Sequence, residues 1–214
     1  MTGLRRIDPD EFSARLDSVL EIYTAAMKPP PEQLSGRQAI MANHATHPGF
    51  TCLFAETDEG LPVGLAYGFH GVVGQWWHDV VHRALTDQFG ERKAYDWLGD
   101  ALEIAEVHVH PGHQGRGIGR ALVKGLCAGR RERTAVLSTR DQPTAARHLY
   151  RSLGFVDLLT WFVFPGGYEH YVIAGSRSPD GGGRARRRRG DAGRARRITA
   201  GRVSRRAPRS SPGR

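Results

Sequence analysis

The stretch HPGHQGRGIGRALV, His110 to Val123, sets Gln114, Gly115, Arg116, Gly117, Ile118, Gly119 and Arg120 between a strand-like and a helix-like apolar pattern. Glycines without a Cβ let the backbone approach a ligand. Unpaired N–H groups at a helix start point at an anion, and the helix dipole adds to the attraction. Arg116 and Arg120 supply further positive charge. This is chemistry for holding a pyrophosphate. Two common phosphate loops fail at a defined position. G-x-G-x-x-G counted from Gly115 meets Arg120 where its third glycine belongs, and a Walker loop counted from Gly112 meets Ile118 where its lysine belongs. What stands is Q-x-x-G-x-G, carried by Gln114, Gly117 and Gly119. Six residues of this kind are by themselves equally an ordinary glycine-rich turn, so the flanking elements decide.

Those elements alternate. Asp10 is placed to cap a helix over Glu11 to Met27, which Pro29 to Pro31 stop. Ser35 can cap a second, Gly36 to His44. Phe50 to Glu56 reads as a strand, Thr57 to Gly60 as a hairpin turn, and Leu61 to Gly71 as the antiparallel partner. A helix follows with Trp77, Val80, Val81, Ala84 and Leu85 on one face, then a less regular stretch holding Trp97 and Leu98. Glu103 to His110 is a strand ended by Pro111-Gly112. Arg116 to Arg130 is a helix with Ile118, Ala121, Leu122, Gly125 and Leu126 at helical spacing. TAVLST is a short strand, Asp141 can cap a helix carrying Leu149, Tyr150 and Leu153, and LLTWFVF and YVIAG are final strands. The pattern predicts a mixed α/β fold.

Charge divides the chain. From Arg177 onward there are fourteen arginines against two acids, a net +12, so of the whole chain's +9 the first 176 residues carry −3. The globular part is therefore not a basic nucleic-acid binder. Residues 1–175 are expected to form one domain and 176–214 a disordered arginine-rich tail. Two readings of the tail stand, weak contact with nucleic acid or another anionic surface and an incidental extension. Cys52 and Cys127 sit in apolar segments outside any C-x-x-C or Cys/His cluster, which speaks against a disulfide framework and a metal site. No run of apolar residues spans a membrane and no signal peptide is legible, so a cytoplasmic monomer or homodimer is expected.

Strand EVHVHP, then QGRGIG, an apolar helix, a strand and ARHLYRSLGF together resemble the GNAT superfamily of N-acetyltransferases. The resemblance covers Leu4 to Gly175, with core motifs from Glu103 to Phe155, and implies that the central sheet is splayed, with six to seven strands flanked by helices. It implies that the glycine loop holds the pyrophosphate of acetyl-CoA, and that Val107, His108 and Val109 pair their backbone with the peptide-like pantetheine arm. It also implies that Tyr150, in LYRSLGF, lies beside the sulfur as proton donor to the leaving thiolate, a role suited to a phenol of pKa about 10. The same tyrosine lies on an apolar helix face and reads equally as a core aromatic. In some members that acetylate proteins, a glutamate at the position of Glu103 acts as base through water. Glu106 is the alternative, and strand alternation turns the two to opposite faces unless a bulge intervenes. His108 has a side chain that titrates near neutrality, and the commoner case for such a residue is an exposed strand histidine. A backbone N–H near Val109 is placed to meet the oxyanion. One departure stands out: Pro143 occupies a position where many members carry asparagine, which puts that pantetheine contact in doubt and leaves Thr144 or Arg147 as substitutes.

The acceptor is the least legible part. Gly71 to Leu102 holds Trp76, Trp77, His78, His82, Asp87, Glu91, Asp96, Trp97 and Asp100. Aromatics with acids suit a cationic amine, and the same tryptophans suit helix packing. The readings are acetyl transfer to a small-molecule amine, acetyl transfer to a protein or peptide N-terminus, and a non-catalytic acyl-CoA-binding protein whose tail contacts nucleic acid.

Overall fold

The computed structural model describes residues 2–177. The expected tail lies outside the described residues from 178 onward, and the last strand includes Ser176 and Arg177. In order the elements are β1 (Thr2–Ile7), α1 (Pro9–Ala14), α2 (Leu16–Met27), α3 (Leu34–His44), β2 (Thr51–Thr57), β3 (Pro62–His70), α4 (Trp76–Phe89) and α5 (Glu91–Leu98). They continue with β4 (Ala101–Val109), α6 (Ile118–Cys127), β5 (Thr134–Arg140), α7 (Ala145–Ser152), β6 (Val156–Phe162) and β7 (Tyr171–Arg177). The seven strands form one mixed sheet in the order β1-β2-β3-β4-β5-β7-β6.

Several boundaries move from the sequence reading, each for a physical reason. Strand β1 has only Ile7 buried, so its pattern carries no alternation to read. The first helix starts earlier, at Pro9, whose fixed φ suits a first helical position, and Asp8 rather than Asp10 caps it by accepting from the Glu11 N–H at 2.8 Å. Arg15 divides α1 from α2, drawn to Glu56 at 3.0 Å. Leu34 opens α3 after a 3₁₀ turn at Pro31–Gln33, which places Ser35 inside the helix instead of at its cap. Trp97 and Leu98 belong to a regular helix, α5, which Gly90 separates from α4 at φ 86°. The residue before a proline is pushed out of helical geometry, so α7 cannot include Gln142; Thr144 caps it instead of Asp141.

Helices cover both faces. On one face α6 and α7 pack Ile118, Leu122, Leu126 and Tyr150 against Leu102, Ile104, Leu137 and Val172. On the other, α1–α3 cover the β1–β3 side through Phe12, Ile22, Phe54 and Tyr67. Beside them α4 and α5 cover β5–β7 through Val81, Leu85, Trp97 and Ile173. Each fully buried Leu or Phe contributes about 1.5–3 kcal/mol by leaving water. The two helical blocks on this second face form separate clusters, and β4 gives Ala105 to the first and Ala101 to the second.

Candidate active site

The sheet is split where β4 meets β5. The two strands are parallel, and their ladder has only three pairs, Ala101–Thr134, Leu102–Ala135 and Glu103–Val136. Beyond Glu103 they diverge, because β5 stays with β7 along its whole length and β4 stays with β3. Among the described residues the β5-facing edge of β4 from Ile104 to Val109 has no strand partner. Backbone groups left this way accept an added extended chain.

The glycine loop stands at the open end of that edge. The Gln114 side-chain N–H donates to the Val109 carbonyl at 2.9 Å and ties loop to strand. Gly115 has φ 74°, and Gly117, the cap of α6, has φ 80°, conformations that glycine adopts without cost. A Cβ added at either would meet nothing within 4 Å, so the backbone at the helix start faces open space. A pyrophosphate fits such a cradle. Gly119 serves packing: a Cβ there would lie 3.4 Å from Leu149 of α7 and 3.9 Å from Val109. Ile118 buries its side chain in the core and leaves only its N–H to the loop. The Arg120 guanidinium donates to the Ser152 hydroxyl at 2.7 Å, whereas exposed Arg116 has no ion-pair partner among the described residues.

Strand β4 is bulged. Tyr67 faces Glu106 across the ladder and Gly68 faces Ile104, so Ala105 is left over. The extra residue resets the alternation and turns Glu103 and Glu106 to one face, the side of Tyr67 and Phe69. Gly68 permits it, since a Cβ there would lie 2.4 Å from the Glu103 carbonyl oxygen. The two carboxylates nevertheless differ. Glu103 is 5% exposed, its Oε2 has no hydrogen-bond partner among the described residues, and burial raises its pKa to about 8. Glu106 pairs with Arg37 at 3.0 Å and with the His108 Nε2. Burial pushes Glu106 up, but His108, Arg37 and His44 outweigh it and hold the carboxyl below its ordinary value.

His108 is buried, against the exposed position expected, with its ring on Tyr23 at 5.2 Å. His110 leaves the strand and accepts from the Gly112 N–H at 3.2 Å. Tyr23, Arg37, His44 and Tyr67 complete the cluster: Arg37 lies over the Tyr23 ring at 5.0 Å, and His44 Nδ1 is 3.1 Å from the Tyr67 hydroxyl. Burial lowers the His44 pKa to about 4. No sequence pattern marks Arg37, His44 or Tyr67, because α3 and β3 reach the site only through tertiary packing.

Tyr150 sits on α7, 8% exposed, with its ring against Phe155 at 5.8 Å. Burial raises its pKa well above the ordinary phenol value and the negative charge of Glu106 raises it further, so the hydroxyl keeps its proton. Thr144 and Arg147 are already engaged. The Thr144 hydroxyl accepts from the Arg147 N–H at 3.1 Å, and the Arg147 guanidinium is held by Asp141 and Asp157. Trp77 donates to the Ser138 hydroxyl of β5 at 3.3 Å, and exposed Trp76 stacks on Phe164 at 5.5 Å. No group of three or more candidate metal ligands occurs among the described residues, and no helix there is long and apolar enough to cross a membrane.

Residues 48–157 match the family model described as an acetyltransferase (GNAT) domain. The chain is 30% identical to the GCN5-like protein acetyltransferase Rv2170 of Mycobacterium tuberculosis, over 81% of this chain and 96% of that one. It is 38% identical to the L-amino acid N-acyltransferase MnaT of Escherichia coli over 32% of this chain and 41% of that one. Among solved structures, the fold is similar to a Salmonella typhimurium acetyltransferase with its cofactor acetyl-CoA, at TM-score 0.55 and 22% identity over 83% of this chain and 94% of that one.

Proposed function

The chain belongs to the GNAT acetyltransferase family and is an acyltransferase enzyme, and we propose that it moves an acetyl group from acetyl-CoA to the primary amine of a small molecule. The observation that carries this reading is the unpaired edge of β4, with a glycine-cradled helix start at its open end and a buried, unpartnered glutamate at its closed end. Acetyl-CoA supplies the activated acyl group. Gly115, Gly117 and the N–H groups at the start of α6, with Arg116, hold its pyrophosphate, and the backbone of Val107, His108 and Val109 takes its pantetheine arm. An N–H near Val109 meets the oxyanion.

Glu103 takes the proton of the attacking amine, directly or through water. A carboxyl with a pKa of about 8 is a base matched to neutral solution. Tyr150, kept protonated by its surroundings, donates to the departing thiolate. Glu106 is ionised and held by Arg37 and His108, which suits it to shaping the acceptor side rather than to taking a proton. The acetyltransferase domain ends with β7.

A small acceptor is supported by Glu106 and His108, which are largely buried against Arg37 of α3 and Tyr23 of α2 rather than set on an open surface, and by the MnaT likeness. A second reading, acetylation of a protein or peptide amine, is favoured by the longer match to a protein acetyltransferase. Thiol release from acetyl-CoA, measured against spermidine, the free L-amino acids, and peptides with a free N-terminus or a lysine, separates the two. Turnover of the free amines alone supports the first reading, and turnover of peptides alone replaces it with the second.

A further inference from the structure

Strands β3 and β4 are antiparallel neighbours, yet the chain between them forms α4 and α5. The first turn of α4 carries His78, 4% exposed, on the same face of the sheet as Glu103. A methyl group added to Gly71 would lie 3.5 Å from His78 Cδ2 and 3.9 Å from Glu103 Oε2. The two side chains therefore border one small space. The ring meets that space with Cδ2, and Nε2 lies one bond from that carbon. The opposite nitrogen, Nδ1, lies 3.2 Å from Asp79 Oδ1. Asp79 is itself fixed, accepting from the Gly74 N–H at 3.1 Å, and its side chain is 47% exposed to solvent.

We propose that His78, oriented by Asp79, is the relay that carries the reaction's proton from Glu103 out to solvent. The proposal rests on Glu103 being the base. An N–H donated from Nδ1 to Asp79 fixes the tautomer and leaves the Nε2 lone pair free to accept. One water in the space over Gly71 joins Oε2 to Nε2. The amine proton taken by Glu103 passes through this water to Nε2, the Nδ1 proton leaves to Asp79 and bulk water, and a ring flip or solvent exchange restores the starting tautomer. Protons balance: the ammonium loses two, the first leaving through Glu103, His78 and Asp79, and the second, released from nitrogen as the tetrahedral intermediate collapses, restoring the Tyr150 hydroxyl after it has protonated the thiolate. The other titratable groups facing the ring are His82, stacked at 5.8 Å, and beyond it Glu91, whose Oε1 is 3.6 Å from His82 Nε2. Without such an exit, a base buried to this degree would release its proton to water slowly between turnovers.

Gly71→Ala gives the most selective test, because every contact of the added methyl is at ordinary van der Waals distance while the methyl occupies the space between the two groups. Imidazole nitrogen and carbon resonances of the full-length protein are recorded against pH for the wild type, Gly71→Ala and Glu103→Gln. The His78 titration should shift in both variants while that of His113 stays fixed. Turnover is then measured with whichever of spermidine, the free L-amino acids and a lysine-bearing peptide reacts fastest. Gly71→Ala and Asp79→Asn should each lower kcat several-fold without changing acetyl-CoA affinity, and added imidazole should restore part of the rate of His78→Gly. If Glu103→Gln lowers the rate but the His78 titration is unmoved and Gly71→Ala and Asp79→Asn turn over normally, the relay is wrong and the base assignment survives. If Glu103→Gln turns over normally, the base assignment fails first.

Discussion

The two ends of β4 hold glutamates three residues apart on one face of one strand, in opposite environments. At the narrow end, where β4 and β5 still pair, Glu103 is buried with an unpartnered oxygen and a raised pKa. At the open end, Glu106 is buried to a similar depth but is clamped by Arg37 and His108 and held ionised. Burial acts upward on both carboxyls, and partners decide the outcome. A strand can thus carry one group suited to exchanging a proton and another suited to fixed charge, provided a bulge turns both to the same side. The lesson extends to Tyr150, whose surroundings hold its proton in place.

The sharpest way to break this division of labour is Tyr150→Phe, which keeps the ring and its packing on Phe155 but removes the donor. The rate of thiol release should fall by roughly 10²–10⁴-fold, the usual worth of a positioned acid. Acetyl-CoA affinity should stay near the wild-type value. No high-pH limb assignable to Tyr150 is expected in the accessible range, because its pKa is raised well above that of a free phenol. Wild-type turnover in this variant would return Tyr150 to the role of a core aromatic.

Replacing Gly117 by valine acts at the cradle and leaves both glutamates alone. The wild type should gain about 2.7 kcal/mol of stability when acetyl-CoA is present at a hundred times its Kd. The variant should lose most of that gain in a thermal-shift titration, since φ near 80° is strained for a β-branched residue. Gly68→Ala strikes the bulge itself. Its Cβ would press on the Glu103 carbonyl, and a cost of about 1–3 kcal/mol in denaturant unfolding is expected. Paired measurement of the Glu103 ionisation would show whether the register had slipped.

A smaller effect separates the two carboxyls by pH. The folded pKa of Glu103 lies above its unfolded value, so its contribution to stability is full below about 4.5 and is lost as pH rises toward 8. Glu103→Gln should therefore become more stable relative to the wild type across that window, a tenfold difference in proton affinity between the folded and unfolded chain being worth about 1.4 kcal/mol. Glu106 has the opposite sign: its contribution is present above its unfolded pKa and lost on acidification, so Glu106→Gln should be less stable than the wild type at neutral pH, with the gap closing as pH falls. His44, depressed to about 4, adds acid sensitivity below its ordinary value of 6.5. Urea midpoints between pH 4 and 9 test all three.

The glycine loop at the start of α6 was legible in the sequence because its requirements are local. Gly115 and Gly117 are needed for their positive φ, and Gln114 bonds a strand residue five positions away. The mixed α/β fold was legible from the alternation of helical and strand periods, and the splay of its sheet only through the family resemblance. The acceptor side was not. The resetting of Glu103 and Glu106 depends on Ala105 dropping out of a ladder, which no residue type announces. Arg37 reaches Glu106 across 69 residues and Tyr67 meets His44 across 23, so their partnerships exist only in the packed chain. His78 drew notice as one of several histidines, but its place beside Glu103 depends on how α4 returns over the sheet.

The most direct test of the account is the pH dependence of kcat for the wild type and Glu103→Gln, measured with the same amine and saturating acetyl-CoA. The ionisation of the amine is common to both and cancels in their ratio. If Glu103 is the base, the wild-type to variant ratio climbs with pH through a midpoint near 8 and levels off at roughly 10² or more. A ratio that stays near one at every pH would contradict it and return the proton to solvent or to another group.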